Sequence, residues 1–284
     1  EYYRLVQEVI LGIGGVRMLD AIGCGNLAKY HMNEGHSALL TLELCAREDP
    51  TVDIIESVRE RCVFTTHTPV PAGHDQFPRE IAEKVLGGQI IDAVREELFY
   101  EGKLNMTHVG LRFSAYINGV AKKHGEVSRD MFPGYHIESI TNGVHSVFWT
   151  SPAFSKLYDE YVSGWRCDPY TLRYVLGISK EKIWNAHIEA KKDLFAYVKK
   201  HQQLDLDPEC FTIGFARRAA TYKRGDMLFS AIDRLVQLAE RFPLQIIYAG
   251  KAHPRDGAGK EVIRNIIERM RKVSGKIKVC YLEN

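Results

Sequence analysis

Apolar residues recur at helical spacing over residues 2–22 (Tyr2, Leu5, Val6, Val9, Ile10), with Gly12, Gly14 and Gly15 interrupting the pattern. This spacing predicts a helix whose glycines permit close packing. The Gly-Ile-Gly-Gly run follows a helix pattern and no strand, so it lacks the strand-turn-helix context of a nucleotide fingerprint. Residues 31–47 read as a second helix, opening at His31, and residues 52–60 as a third. From Cys62 an apolar strand runs into a polar loop stiffened by Pro69 and Pro71. Residues 77–99 read as helix broken at Gly87-Gly88. Residues 105–124 read as a buried helix with Val109, Phe113, Tyr116, Ile117 and Val120 inward. A short strand within 135–145 ends at Asn142-Gly143, a dipeptide that tolerates positive φ.

The second half is more regular. Residues 153–203 carry charged helical patterns. Strand 211–217, helix 227–242, strand 244–249, helix 260–273 and strand 276–282 then alternate as βαβαβ, which implies a parallel sheet and half of a doubly wound domain. The passage at 146–152 divides the chain into 1–150 and 151–284.

The 284 residues, 45% hydrophobic, suffice for one large α/β unit or two domains. Lys+Arg 38 against Asp+Glu 36 leaves a net charge of +2, too small for a nucleic-acid binder, so any anion site must be local. Six scattered cysteines form no CxxC pair and read as reduced thiols. No signal peptide or bilayer-length apolar stretch is present, which makes a cytoplasmic protein the expectation. His31, Glu34 and His36 could ligate a metal, but that spacing is common by chance, and no metal is expected.

The local anion site is Phe211 to Met227. An apolar strand stops, and Arg217, Arg218, Lys223 and Arg224 crowd a loop with no acid before Asp226, directly ahead of a helix pattern. A solvated face would interleave acids. Ligands of open α/β sheets bind at the carboxyl ends of strands, where fixed cations and a helix N-terminus suit phosphate. A second glycine-rich basic loop, Gly250 to Gly259, leaves the next strand. There is no GxxxxGK[ST], so a mononucleotide P-loop is not supported. His67, fixed at a strand exit, is a candidate functional histidine. Asn142, by spacing alone, is a turn residue.

Six segments in order, TTHTPVPAG, NGVAKKH, ESITNGVHSVFW, FARRAATYKRGDML, YAGKAHP and VCYLEN, resemble α-glucan phosphorylases of the shorter bacterial and archaeal type. The resemblance implies two Rossmann-like domains facing across a cleft (the GT-B architecture), both incomplete here. Residues 1–150 would end the N-terminal, glucan-side domain, and 151–284 would begin the C-terminal, phosphate and cofactor-side domain. It implies phosphorolysis of terminal α-1,4 bonds to α-D-glucose 1-phosphate with retention, assisted by pyridoxal 5'-phosphate. The implied partners are an α-1,4-glucan and inorganic phosphate, with no nucleic acid or membrane, in a homo-oligomer.

By the same resemblance His67 and Asn142 hold the glucosyl unit, and Tyr222 contacts glucose. Arg218 and Lys223 clamp the substrate phosphate. Trp149 lines the cofactor pocket, and Arg217 stands near the cofactor phosphate where the family usually has lysine, which exchanges a point charge for a fork. The family's cofactor lysine belongs beyond the YLEN end, so the polypeptide is expected to be a fragment inactive by itself. Two other functions stay open: a nucleotide-sugar glucan synthase of the same architecture, and a non-catalytic glucan-binding module.

Overall fold

The computed structural model describes residues 1–90 and 92–283, and it divides into two compact units, Glu1–Gly143 and Val144–Asn284. Both are mixed α/β units with parallel sheets.

In the first unit the strands are β1 (Tyr30–Asn33), β2 (Cys62–Thr66), β3 (Gln76–Pro78), β4 (Phe99–Tyr100), β5 (Lys103–Asn105), β6 (Tyr116–Gly119) and β7 (Glu138–Ser139). Parallel pairing orders four of them β1-β2-β6-β7, and β3-β5-β4 form a small antiparallel sheet. The opening helix, Tyr2–Ala21, forms as the periodicity predicts. Of its glycines, Gly12 is the one in close contact: a Cβ there would lie 2.6 Å from the Leu40 nitrogen, so the helix backbone packs on the segment that opens the next helix.

Three sequence expectations are corrected in this unit. Residues 31–47 are not one helix. The chain enters as β1, turns through Gly35–Ser37 and becomes helical over Leu40–Cys45. Tyr30 and Met32 are buried while His31 and Asn33 face out, and β1 pairs with β2 in the register Tyr30↔Cys62, so a period of two won over the helical reading. Residues 105–124 contain a helix, Met106–Arg112, then β6, then the start of a second helix, Lys122–Met131. Asn105 Oδ1 accepts from the Thr107 and His108 N–H groups and caps the first helix. Tyr116 to Gly119 fill the place beside β2. Residues 77–99 are helical over Arg79–Leu86 and Arg95–Leu98, with the first helix ending at Gly87 as expected, and the correction is at the ends, where β3 and β4 take up Phe77, Pro78 and Phe99.

Glu8 is the most deeply buried acid of this unit among the described residues, 1% exposed. Arg4 Nε lies 2.9 Å from Glu8 Oε1 and Arg4 Nη2 lies 2.7 Å from Asp75 Oδ2, yet neither Glu8 oxygen receives a well-directed hydrogen bond from the described residues. Burial, reinforced by Asp75 and opposed by Arg4, pushes the Glu8 carboxyl up to about 8. The folded state thus holds a proton that the unfolded chain releases at ordinary carboxylate pH. The contribution is full below the unfolded pKa and falls as pH rises towards the folded one. Between about pH 6 and about pH 9 the wild type is expected to lose thermal stability that Glu8→Gln, which carries no charge, retains. Parallel melting curves with identical pH dependence would contradict this.

In the second unit the strands are β8 (Phe211–Ala216), β9 (Leu244–Ala249) and β10 (Lys278–Leu282), all parallel, in the order β10-β9-β8. The helix Gly257–Val273 links β9 to β10, with Asp256 Oδ1 accepting from the Gly259 N–H as its cap. Helix 227–242 is shortened. A 3-10 turn, Met227–Phe229, precedes the α-helix Ile232–Arg241, so no α-helix N-terminus follows the basic loop directly. Before the sheet come the helices Pro152–Tyr161 and Lys180–Gln202 and a 3-10 segment, Pro169–Gly177. Trp165 is buried against this helical layer, and its indole N–H donates to Asp159 (2.9 Å).

Candidate functional site

His67 and Asn142 belong to the first unit, and Trp149, Arg217, Arg218, Tyr222 and Lys223 to the second.

His67 leaves the carboxyl end of β2 and is exposed. Its ring Nε2 is hydrogen-bonded to Asn33 Oδ1 at the end of β1, and its backbone N–H donates to Glu34 Oε2 (2.7 Å). The Thr68 hydroxyl donates to the same oxygen (2.9 Å), and the Gly35 N–H donates to Glu34 Oε1 (3.3 Å). With an oxygen facing Nε2, that nitrogen carries the ring hydrogen of neutral His67, and Nδ1 is left as an acceptor. Glu34 itself has φ 77° and ψ 171°, a region open essentially to glycine that costs a side-chain-bearing residue on the order of 1–3 kcal/mol.

Beside this group lies His124. Its Nδ1 accepts from the Val120 N–H (3.3 Å), while its buried Nε2 has no hydrogen-bond partner among the described residues. Burial lowers its pKa, against the raising effects of Glu34 and of the Thr68 backbone. Gly119 makes room for it, since a Cβ there would lie 2.6 Å from His124 Nδ1. Asn142 follows β7, with its N–H bound to Val120 O (3.0 Å) and the Ile140 N–H bound to Gly119 O (2.9 Å). It stands on the same sheet edge as His67, with β6 between their strands. Neither Asn142 nor Gly143 uses a positive φ.

In the second unit, the loops after β8 and β9 are bound to one another. The Arg217 N–H donates to Ala249 O (3.1 Å) and the Ala219 N–H to Lys251 O (2.9 Å), carrying the strand pairing past both strand ends. Tyr248, buried, donates its hydroxyl to Gly225 O (2.8 Å), and burial, with Asp226, pushes its pKa up to about 12. Tyr281 donates to Gly250 O (2.9 Å). These bonds hold a small cavity of about 10 Å³ bordered by Arg217, Arg218 and Lys223. Arg217 and Arg218 are exposed, and Lys223 Nζ lies 5.7 Å from the Tyr222 ring centre. Among the described residues no carboxylate lies within ion-pair distance of Arg217, Arg218, Lys223 or Arg224. Asp226 is turned towards Arg269 (3.9 Å). Cations so placed are free to receive an anion.

Trp149 ends the short helix Ser146–Trp149, 73% exposed and edge-on to Phe148, and it borders none of that cavity. Among the described residues no group of three or more His, Cys, Asp or Glu side chains is arranged for a metal, and no helix is long and apolar enough to cross a membrane.

The site residues that the sequence did not single out are Asn33 and His124, and Glu34 enters there only as a candidate metal ligand. Asn33 and Glu34 fall in the segment read as helix. His124 closes the NGVAKKH segment, but nothing in its spacing shows that it reaches back to the β2 exit.

The chain thus consists of parallel α/β units, one with an imidazole at a strand exit and one with cations at another that have no carboxylate partner among the described residues. Residues 27–284 match the family described as Phosphorylase: Carbohydrate phosphorylase, and the chain belongs to that family. It is 36% identical to the maltodextrin phosphorylase of Thermococcus litoralis, over 99% of this chain and 38% of that protein. It is 32% identical to the glycogen phosphorylases of Mycobacterium tuberculosis (99% of this chain, 39% of the relative) and Aquifex aeolicus (93% and 44%). The chain thus spans roughly two fifths of the length of these curated relatives.

Proposed function

We propose that the complete protein cleaves the terminal α-1,4 bond of a glucan with inorganic phosphate and releases α-D-glucose 1-phosphate with retention. The observation that carries this reading is the loop after β8, where two arginines and a lysine border one cavity with no carboxylate partner, in a chain of the carbohydrate phosphorylase family. The two units are read as parts of two Rossmann-like domains facing across a cleft, the first on the glucan side and the second on the phosphate side.

Arg218 and Lys223 hold the attacking phosphate and offset its charge. Phosphate gives a proton to the glycosidic oxygen as the bond to C1 breaks, and a phosphate oxygen bonds to C1 on the same face. The positive charge growing on the sugar ring is stabilised by the anion that these cations keep in place. His67, with Nδ1 as acceptor, accepts a hydrogen bond from a hydroxyl of the glucosyl unit. Asn142 and Tyr222 hold the same sugar. No pair of carboxylates of the glycosidase kind is required.

The chemistry that bound pyridoxal phosphate would supply is a second phosphate group to support that proton transfer. Arg217, exposed and without a carboxylate partner, suits such an anion, and the exposed indole of Trp149 suits a flat ring. Both are assigned to holding it.

The direct test is glucose 1-phosphate formation by the complete protein from a maltodextrin and phosphate, and its absence overturns the reading. Within that assay, His67→Ala should lower the rate by roughly 5- to 150-fold, the scale of about 1–3 kcal/mol for a lost hydrogen bond to a polar group. An unaltered rate would leave His67 as a structural residue.

A further inference from the structure

Glu34 occupies a backbone conformation that glycine would accept at no cost, at φ 77° and ψ 171°. A glutamate is held there by what its carboxylate binds, and those partners are all at the β2 exit or its own turn: the His67 N–H (2.7 Å), the Thr68 hydroxyl (2.9 Å) and the Gly35 N–H (3.3 Å). The backbone of Glu34 continues the β1–β2 ladder, its N–H donating to Thr65 O (2.9 Å). The next residue is locked in turn, because a Cβ on Gly35 would sit 3.1 Å from the Met106 carbonyl carbon and the Thr107 nitrogen. Neighbouring Asn33 holds the His67 ring through Nε2. Two consecutive residues of β1 and its turn therefore fix both the peptide that carries the imidazole and the nitrogen that bears its hydrogen.

We propose that Glu34 is a positioning residue for the reaction: with Asn33 it holds His67 in the tautomer and direction that present Nδ1 to the sugar. This rests on the reading of His67 as a sugar ligand. Glu34 needs no contact with substrate, and its effect passes through His67.

The test is a double-mutant cycle in the complete protein, with Glu34→Gly and His67→Ala made singly and together. Glycine accepts the local φ and ψ, so Glu34→Gly is expected to keep the wild-type melting temperature. Its kcat/KM for glucan should fall about tenfold while the KM for phosphate stays unchanged. In the His67→Ala background the same change should cost nothing further. Glu34→Gln, which keeps one acceptor oxygen but turns an amide towards the Gly35 N–H, should fall between wild type and Glu34→Gly, and it serves if the glycine variant does not fold.

A rate unaffected by Glu34→Gly, or lowered by the same factor with and without His67, overturns the proposal. A second readout separates it from the assignment of His67 itself. The ring ¹⁵N resonances of His67 should show hydrogen on Nε2 in wild type and a mixture of tautomers in Glu34→Gly. Unchanged resonances overturn the positioning role, whereas shifted resonances beside a fully active His67→Ala enzyme would leave positioning intact and overturn only the sugar contact.

Discussion

Lys223→Ala in the complete protein should lower kcat/KM for phosphate by about 10²- to 10³-fold, the range seen when one preorganised donor to a developing charge is removed. Folding should be little affected. Lys223 Nζ makes no ion pair among the described residues, so its removal leaves no orphaned charge. Its one aromatic contact, with the Tyr222 ring, is worth about 0.5–1 kcal/mol at an exposed site. The loop is held by bonds that do not involve the lysine side chain, from the Arg217 and Ala219 N–H groups to the loop after β9 and from Tyr248 to Gly225. The expected signature is therefore a raised KM for phosphate and a lowered kcat, with an unchanged melting temperature and an unchanged KM for glucan. Lys223→Arg restores the charge but spreads it over a planar fork, so it should recover part of the rate only. Near-normal phosphorolysis by Lys223→Ala would remove the cationic loop from the mechanism.

The parts of the fold legible in the sequence are those where one signal acts alone. In the second unit, β8, β9 and β10 alternate with helices, and period, turn residues and order agree, so the βαβαβ reading meets parallel pairing throughout. In the first unit the signals compete. Residues 30–33 hold two buried and two outward residues, too few to separate a strand from the first turn of a helix, and pairing with β2 decides it. Residues 116–119, Tyr-Ile-Asn-Gly, are too short and too mixed to stand apart from the helix that ends at Arg112. The place left beside β2 makes them a strand, a tertiary fact that local periodicity does not carry.

The candidate site divides the same way. Arg217, Arg218 and Lys223 are visible because a basic run without acids is a one-dimensional signal, and the structure brings them to one cavity. His67 is visible because prolines fix its exit from an apolar strand. The part of Glu34 at His67, and His124 altogether, are not, since each matters through a residue more than thirty or fifty positions away, Glu34 through the His67 peptide and His124 through its burial near both. The expected helix N-terminus behind the basic loop is absent from that place. Residues 221–229 are taken up by two 3-10 turns, and the anion-receiving capacity of the loop comes from side-chain cations.

Gly250→Ala should be the most damaging single substitution of the loop, and through the backbone alone. Gly250 has φ 142°, and a Cβ built on it would lie 2.0 Å from the Arg217 carbonyl oxygen and 2.9 Å from its carbon. Both contacts are with backbone, so no rotamer change relieves them. Either the loop after β9 withdraws, breaking the bonds from Arg217 to Ala249 and from Ala219 to Lys251, or the residue adopts another φ and the Gly250 N–H leaves Leu282 O (3.2 Å). Each route opens the edge where β8, β9 and β10 present their ends together. The expected loss of stability is above about 4 kcal/mol, the range reserved for strain at special backbone positions and broken buried networks. Protein that still folds should lose phosphate use along with Lys223→Ala, because Arg217 and Arg218 no longer sit against a fixed neighbour. Gly214→Ala is the matched control. It lies in β8 with ordinary φ and nothing within 4 Å of the new methyl group, so its stability should stay within about 0.5 kcal/mol of wild type. Equal melting temperatures for the two variants would show that the junction between the loops yields more readily than its geometry implies.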